Sequence, residues 1–285
     1  FWMMWQYQRH GLFGRCVAMC DRGIELSALI GSEPVQYGSI KAIALSEMGR
    51  FDEVDAAIAQ EVTDDDHPFG QAVASLARSV FLARVAAWEP AIESLHETLD
   101  WADRLTRVWM TRWAGTLLEV ARASSGHEAA DAAFDADVWG IGELTAAQVA
   151  LVNEDWARCI ELVTPNLPDL SFRLRDETTG SADEVTADHA RALGLLAQAE
   201  LGRGDAGAAL EAATAGLTFA EPMEFGWMLW RLHRVRGLAL DALGRADEAT
   251  AAADRASAEF GAVAARIADP ELRSWFERQP LSPVT

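Results

Sequence analysis

Gly202, Gly204 and Gly207 satisfy the Gly-x-Gly-x-x-Gly spacing of a dinucleotide-binding turn. That turn needs a strand before it, so that the pyrophosphate meets the N-terminus of the following helix. Here the preceding run, ALGLLAQAEL, is built of strong helix formers, so the glycines are expected to join two helices instead. Arg203, Gly204 and Asp205 spell an adhesion-type tripeptide within the same turn and are read as part of it. His10, His67, His96, His127, His189 and His233 stand far apart, and none pairs with cysteine or a second histidine at metal-ligand spacing. Asp64, Asp65 and Asp66, just before His67 and Pro68, read as a solvated, helix-capping loop rather than a cation site. No Gly-x-Ser-x-Gly elbow and no His-Glu-x-x-His helix occurs. The chain is therefore read as non-catalytic, with no cofactor and no metal.

Cys16, Cys20 and Cys159 are too few for a disulfide framework. Cys16 and Cys20 lie four apart, on one helical face, where two small core residues fit better than a bridge. A reduced, cytoplasmic setting follows as the expectation. Trp2 and Trp5, Trp109 and Trp113, and Trp227 and Trp230 recur at spacings of three or four. Most are expected to pack helix against helix. A buried indole needs a partner for its N–H, and a subset of the six is expected to line a recognition groove.

The elements that must position these residues are helices. The 285 residues carry a formal charge of −20, which argues against phosphate backbones and anionic membrane surfaces as partners. No run of eighteen apolar residues is present, so no membrane span is expected. The opening FWMMWQYQRH is apolar but has no charged leader and no initiator Met, and reads as the interior of something longer or as the start of the ordered part.

One pattern recurs: an apolar helix, a break, then a second helix. Breaks are expected at Gly11, Gly49, Ala86, Gly126, Glu154, Gly204 and Gly244, in steps of 38, 37, 40, 28, 50 and 40 residues. Each is followed by a similar helix start, such as RFDEVDAAI at 50–58 or RADEATAAA at 245–253. Gly ends the first helix where a left-handed residue is needed. Phe13, Phe51, Trp88 and Trp156 are expected to wedge between paired helices, and Ala91, Ala209, Ala249 and Ala256 to allow close approach. The 28-residue step predicts a shortened hairpin around 126–154, and the 50-residue step a long loop at 164–184. The last long helix is expected over 247–268, stopped by Asp269 and Pro270. A short helix at 271–279 is then expected to cover the end of the array with Leu272, Trp275 and Phe276.

These features resemble tetratricopeptide (TPR) repeats, whose period is about 34 residues. The likeness is strongest in the last unit, where Gly237, Gly244, Ala249 and Ala256 stand at that family's small-residue positions. Val54, Cys159 and Glu61 depart from it. The stretch 231–280, with GRADEA and RIADPELRSWF, is similar to the helical-repeat region of large LuxR-type ATPase regulators and nucleotide-cyclase-linked signalling proteins of actinobacterial type. The stretch 44–62 looks like an earlier repeat of the same region.

The resemblance implies an all-α, right-handed superhelical stack of about seven TPR-like helical hairpins, an α-solenoid. Its hairpins would run over 1–163 and 185–285, one continuous solenoid around the 164–184 loop. In such arrays the first helix of each hairpin lines the concave surface. Carried over by offset from each break, that pattern gives a groove of Trp5, Arg9, Gln36, Arg84, Trp113, Gln148, Arg191, Gln198, Arg231 and Arg234. The same offset also places Gln8, Ser39, Glu47, Thr116 and Asp241 on this surface. An arginine-rich, aromatic lining suits an acidic protein or peptide segment, or a small anionic effector. The alternative for these arginines is pairing with carboxylates of neighbouring helices. The functional expectation is a protein- or effector-binding scaffold, the sensor part of a larger bacterial regulator. A sensor with an enclosed pocket is the second reading, and an enzyme on an α-solenoid the third.

Overall fold

The computed structural model describes residues 4, 7–8, 10–33, 35–61, 67–127, 141–165, 167 and 187–279. Among them every regular element is a helix and no strand occurs. The helices are α1 (Phe13–Ile30), α2 (Tyr37–Glu47), α3 (Val54–Ile58), α4 (Pro68–Arg84), α5 (Trp88–Arg104), α6 (Val108–Ser124) and α7 (Ile141–Val152). They continue with α8 (Trp156–Val163), α9 (Ala187–Arg203), α10 (Ala206–Ala220), α11 (Gly226–Ala242), α12 (Ala246–Ala264) and α13 (Pro270–Glu277). No helix among the described residues is long and apolar enough to cross a membrane.

All seven expected breaks adopt left-handed backbone: Gly11 at φ 69°, Gly49 at 69°, Ala86 at 59°, Gly126 at 80°, Glu154 at 59°, Gly204 at 90° and Gly244 at 74°. The residue after each break donates its N–H to the carbonyl five residues back. Leu12 bonds Tyr7 at 2.8 Å, Arg50 bonds Leu45 at 2.9 Å, Ala87 bonds Leu82 at 3.0 Å and His127 bonds Arg122 at 2.9 Å. Asp155 bonds Ala150 at 2.8 Å, and Asp205 and Arg245 bond Glu200 and Leu240, each at 2.9 Å. One closing bond thus satisfies the last carbonyls at every break and reverses the chain. The connections at Gly31, Thr106 and Glu224 repeat it, with left-handed φ of 68°, 52° and 53°.

Short turns make sequence neighbours pack: α1 on α2, α4 on α5, α5 on α6, α7 on α8, α9 on α10 and α10 on α11. Alternate helices also touch, namely α2 with α4, α4 with α6, and α9 with α11. The expected alanines, Ala91, Ala209, Ala249 and Ala256, are all buried. Gly237 lies at this contact: a Cβ there would meet the Ala249 carbonyl oxygen and the Ala253 nitrogen at 3.4 Å, in van der Waals contact, so α11 and α12 pack closely at this point.

The described residues fall into two compact units. One holds those within 1–8, 12–133 and 263–279, the other those within 9–11 and 134–262. In the first unit the second hairpin has only a one-turn 3-10 segment, Phe51–Glu53, and the five-residue α3 as its second arm. The chain then turns so that the Glu61 carboxylate accepts the N–H groups of Gln36 and, at 3.1 Å, Ser39, at the start of α2. Glu61, the departure from the repeat pattern, is thus a helix cap reached across the hairpin. Between α4 and α5 lies a buried hydroxyl network. Ser75 and Thr98 are 2.9 Å apart, and Ser79 donates to Ser94 at 2.9 Å.

Two expectations at the C-terminal end need correction. The long helix α12 ends at Ala264 rather than 268. Asp269 and Pro270 start α13 instead of stopping α12. The Asp269 carboxylate accepts the N–H groups of Glu271 at 2.8 Å and Leu272 at 3.3 Å, with Pro270 in the first helical turn. The helix α13 belongs to the first unit. Its Phe276 is fully buried, 6.1 Å ring to ring from Phe51, and Phe51 lies 5.5 Å from Phe81. The Phe276 ring thus covers apolar surface on the early helices of the first unit. Residues 166 and 168–184 of the expected loop, and 128–140 of the 126–154 segment, lie outside the described residues.

Candidate functional site

The densest gathering of groove candidates is on α9 and α11 of the second unit. The left-handed Glu224 turns the chain into α11 and sets the buried Phe225 ring at its N-terminal end. From α9, the Arg191 guanidinium lies 5.1 Å from the Phe225 centroid, and its Nη1 donates to Asp188 at 2.6 Å. Trp227 follows, its ring 6.3 Å from that of Phe225. Arg231 stacks 4.1 Å from the ring centroids of both Trp227 and Trp230. Its Nη1 donates to the Trp227 carbonyl at 2.6 Å. Positions 227, 230, 231 and 234 share one face of α11 because they are three and four apart.

Packing stiffens this face from behind. Trp230 is nearly fully buried and meets Phe260 of α12 edge-on at 5.1 Å. Burial lowers the pKa of the Arg234 guanidinium to about 10. Burial also lowers His189, whose ring meets Phe219 edge-on at 5.1 Å. His233 is likewise lowered, first by burial and against the opposing pull of Glu221, 3.9 Å away. Gln198 on α9 donates to the Gly194 carbonyl at 3.1 Å.

The remaining described candidates lie on other elements. Arg84 makes a two-pronged bond to Glu47 of α2, at 2.8 and 3.2 Å, and Glu47 is only 2 % exposed. That is the carboxylate pairing weighed as the alternative for these arginines, so Arg84 serves the packing of α2 on α4. Gln36 holds a left-handed φ of 74°, and its N–H meets the Glu61 cap. Trp113 is half-buried on α6, with Thr116 donating to its carbonyl at 2.8 Å. Gln148 is half-buried on α7. Trp5 and Arg9, like Trp2, Asp64, Asp65 and Asp66, lie outside the described residues.

The dinucleotide-like glycines are accounted for by packing. Gly204 is the left-handed break, Asp205 caps α10 by accepting the Ala208 N–H at 3.0 Å, and Gly202 faces the Trp156 ring, which a Cβ would meet at 2.7 Å. Arg203 of the adhesion-like tripeptide pairs with Glu200 at 2.6 Å. Among the described residues no group of three or more His, Cys, Asp or Glu side chains is placed to hold a metal ion. Phe225 was missed from the sequence. Its one signal is its place just before Gly226 and Trp227, after a turn carrying Pro222. In comparisons with protein-family models, curated proteins and solved structures, nothing matches the chain.

Proposed function

We propose that the chain is a non-catalytic binding module of tetratricopeptide-like hairpins, arranged as a right-handed α-solenoid, that recognises an anionic partner on its α9–α11 face. The partner is an acidic peptide segment or a small carboxylate- or phosphate-bearing effector. The carrying observation is the run Arg191, Phe225, Trp227, Arg231, in which two guanidinium groups flank two aromatic rings, with successive separations of 4.1 to 6.3 Å. Stacking on a ring fixes the guanidinium plane, which lowers the entropy cost of bidentate contact with carboxylate or phosphate. Arg191 and Arg231 bring two guanidinium groups to this face, Arg191 with the Asp188 carboxylate beside it.

The seven equivalent breaks and the close approach at Gly237 support the repeat reading. In this reading the module is the sensing part of a bacterial regulator, working in the reducing cytoplasm without direct nucleic-acid or membrane binding. Its three buried, free cysteines accord with that compartment. Because α9 and α11 belong to successive hairpins, a ligand held by both changes their relative tilt and so the surface offered to a partner. The test is binding of acidic peptides and small anions to the full chain, wild type against charge-reversed Arg191 and Arg231. Equal binding by the two overturns the reading.

A small-effector sensor with an enclosed site is the second reading. Two contacts favour it: Phe276 on Phe51, and Gly11 against Met223, where a Cβ on the glycine would collide with the thioether. Each joins segments distant along the sequence within one compact unit. Tryptophan emission of the chain alone then responds to a small anion, whereas a pure protein scaffold responds only to its protein partner.

A further inference from the structure

Met4, Cys16 and Cys20 bring three sulfur atoms together in the first unit, and all three residues are essentially fully buried. Cys16 and Cys20 share one face of α1 through their spacing of four. The segment before α1 folds back, with the Leu12 N–H bonded to the Tyr7 carbonyl at 2.8 Å, and sets Met4 over that face. The Cys20 thiol then donates to the Met4 thioether at 3.5 Å, and the Cys16 thiol donates to the Met4 carbonyl at 3.4 Å.

We propose that Met4, Cys16 and Cys20 form a binding site for a soft monovalent metal ion, Cu(I). Thiolate and thioether ligands select Cu(I), and the set contains no imidazole or carboxylate that would favour a harder ion. Metal–sulfur bonds of about 2.3 Å place the ligands of a three-coordinate ion about 4 Å apart. The 3.5 Å between Met4 Sδ and Cys20 Sγ needs only a few tenths of an ångström of expansion to reach that. Structural Zn(II) requires four nitrogen or sulfur ligands, which this trio does not supply.

The charges balance without redox chemistry. The two thiols each release a proton to solvent, the thioether donates a lone pair, and Cu(I) with two thiolates carries one net negative charge. Cys16 lies in the first turn of α1, where the helix dipole favours that charge and no acidic residue opposes it. Because the cysteines bind as thiolates, uptake releases protons.

The test is titration of the reduced full chain with Cu(I), without oxygen, against a chromophoric Cu(I) chelator. Wild type is expected to withdraw one ion per chain. Cys16→Ser and Cys20→Ser each weaken retention by more than about 100-fold, and Met4→Leu by about 10-fold. Cys159→Ser, on a different helix, leaves it unchanged. X-ray absorption at the copper edge of the wild-type complex needs no variant to fold, and is expected to show sulfur neighbours alone. Copper left with the chelator, equal retention by the Cys16 and Cys20 variants, or nitrogen and oxygen in the metal shell overturns the proposal.

Discussion

The Arg231 guanidinium lies 4.1 Å from the ring centroid of Trp227, one helical turn earlier on α11. The same plane lies 4.1 Å from Trp230, so one cation ties two indoles to one face. Each such contact contributes about 0.5–1 kcal/mol where the site stays partly wet. Arg231→Leu is expected to lower stability by about 1–2 kcal/mol in urea unfolding and to change tryptophan emission. Arg231→Lys is expected to lose most of the same amount, because an ammonium cannot reproduce the planar stack. A lysine variant as stable as wild type contradicts this.

Arg84 and Glu47 form the opposite kind of pair, withdrawn from solvent between α2 and α4. Removing one partner strands the other charge. Glu47→Gln is expected to cost about 3 kcal/mol. Replacing both, as Arg84→Met with Glu47→Leu, is expected to recover all but about 1 kcal/mol, since well-packed apolar residues substitute for buried ion pairs. A double variant no better than the single one contradicts the packing role.

Two of the left-handed breaks lack glycine. Glu154 is exposed at φ 59°, a conformation that costs a side-chain-bearing residue about 1–2 kcal/mol. Glu154→Gly is expected to raise stability by about 1 kcal/mol after the entropy glycine loses on folding. Gly204→Ala, at φ 90°, is expected to lower it by about 1–2 kcal/mol. Thermal melts of the two variants should move in opposite directions.

That symmetry shows what the sequence made legible. Each break is a local event, closed by one bond between residues five apart, so the junction of two apolar runs, marked by a glycine at five breaks and by Ala86 and Glu154 at the others, was enough to find it. The Glu61 cap, the meeting of Phe276 with Phe51 and the stacking of Arg191 on Phe225 each depend on contacts between elements distant along the chain. No spacing rule encodes such contacts. Offset from the breaks brought together Arg191, Arg231 and Arg234 on α9 and α11. It also selected Arg84 and Gln36, because offset specifies a helix face and not the carboxylate waiting opposite it.

Burial lowers the folded-state pKa of both His189 and His233 below the ordinary 6.5. Around His233 the charges are Glu221, Glu259, Arg255 and Arg236. A histidine held neutral by burial takes up its proton more readily when unfolded, so stability is lost as pH falls below about 6.5 toward the lowered values. Glu53 and Glu248, lowered by their arginine partners, add losses only below 4.5. The melting temperature is therefore expected to fall between pH 7 and 5. The fall should be shallower in a His189→Asn, His233→Asn variant. An identical slope in that variant contradicts the assignment.

The account turns on recognition of anions by α9 and α11. The most direct measurement is fluorescence and calorimetric titration of the full chain with acidic peptides and small carboxylate- and phosphate-bearing ligands at two salt concentrations. Wild type is compared with an Arg191→Glu, Arg231→Glu variant whose helicity is unchanged by circular dichroism. The account predicts salt-sensitive binding with a change in tryptophan emission, reduced at least about 100-fold in the variant. No binding of any anionic probe, or equal affinity in wild type and variant, contradicts it.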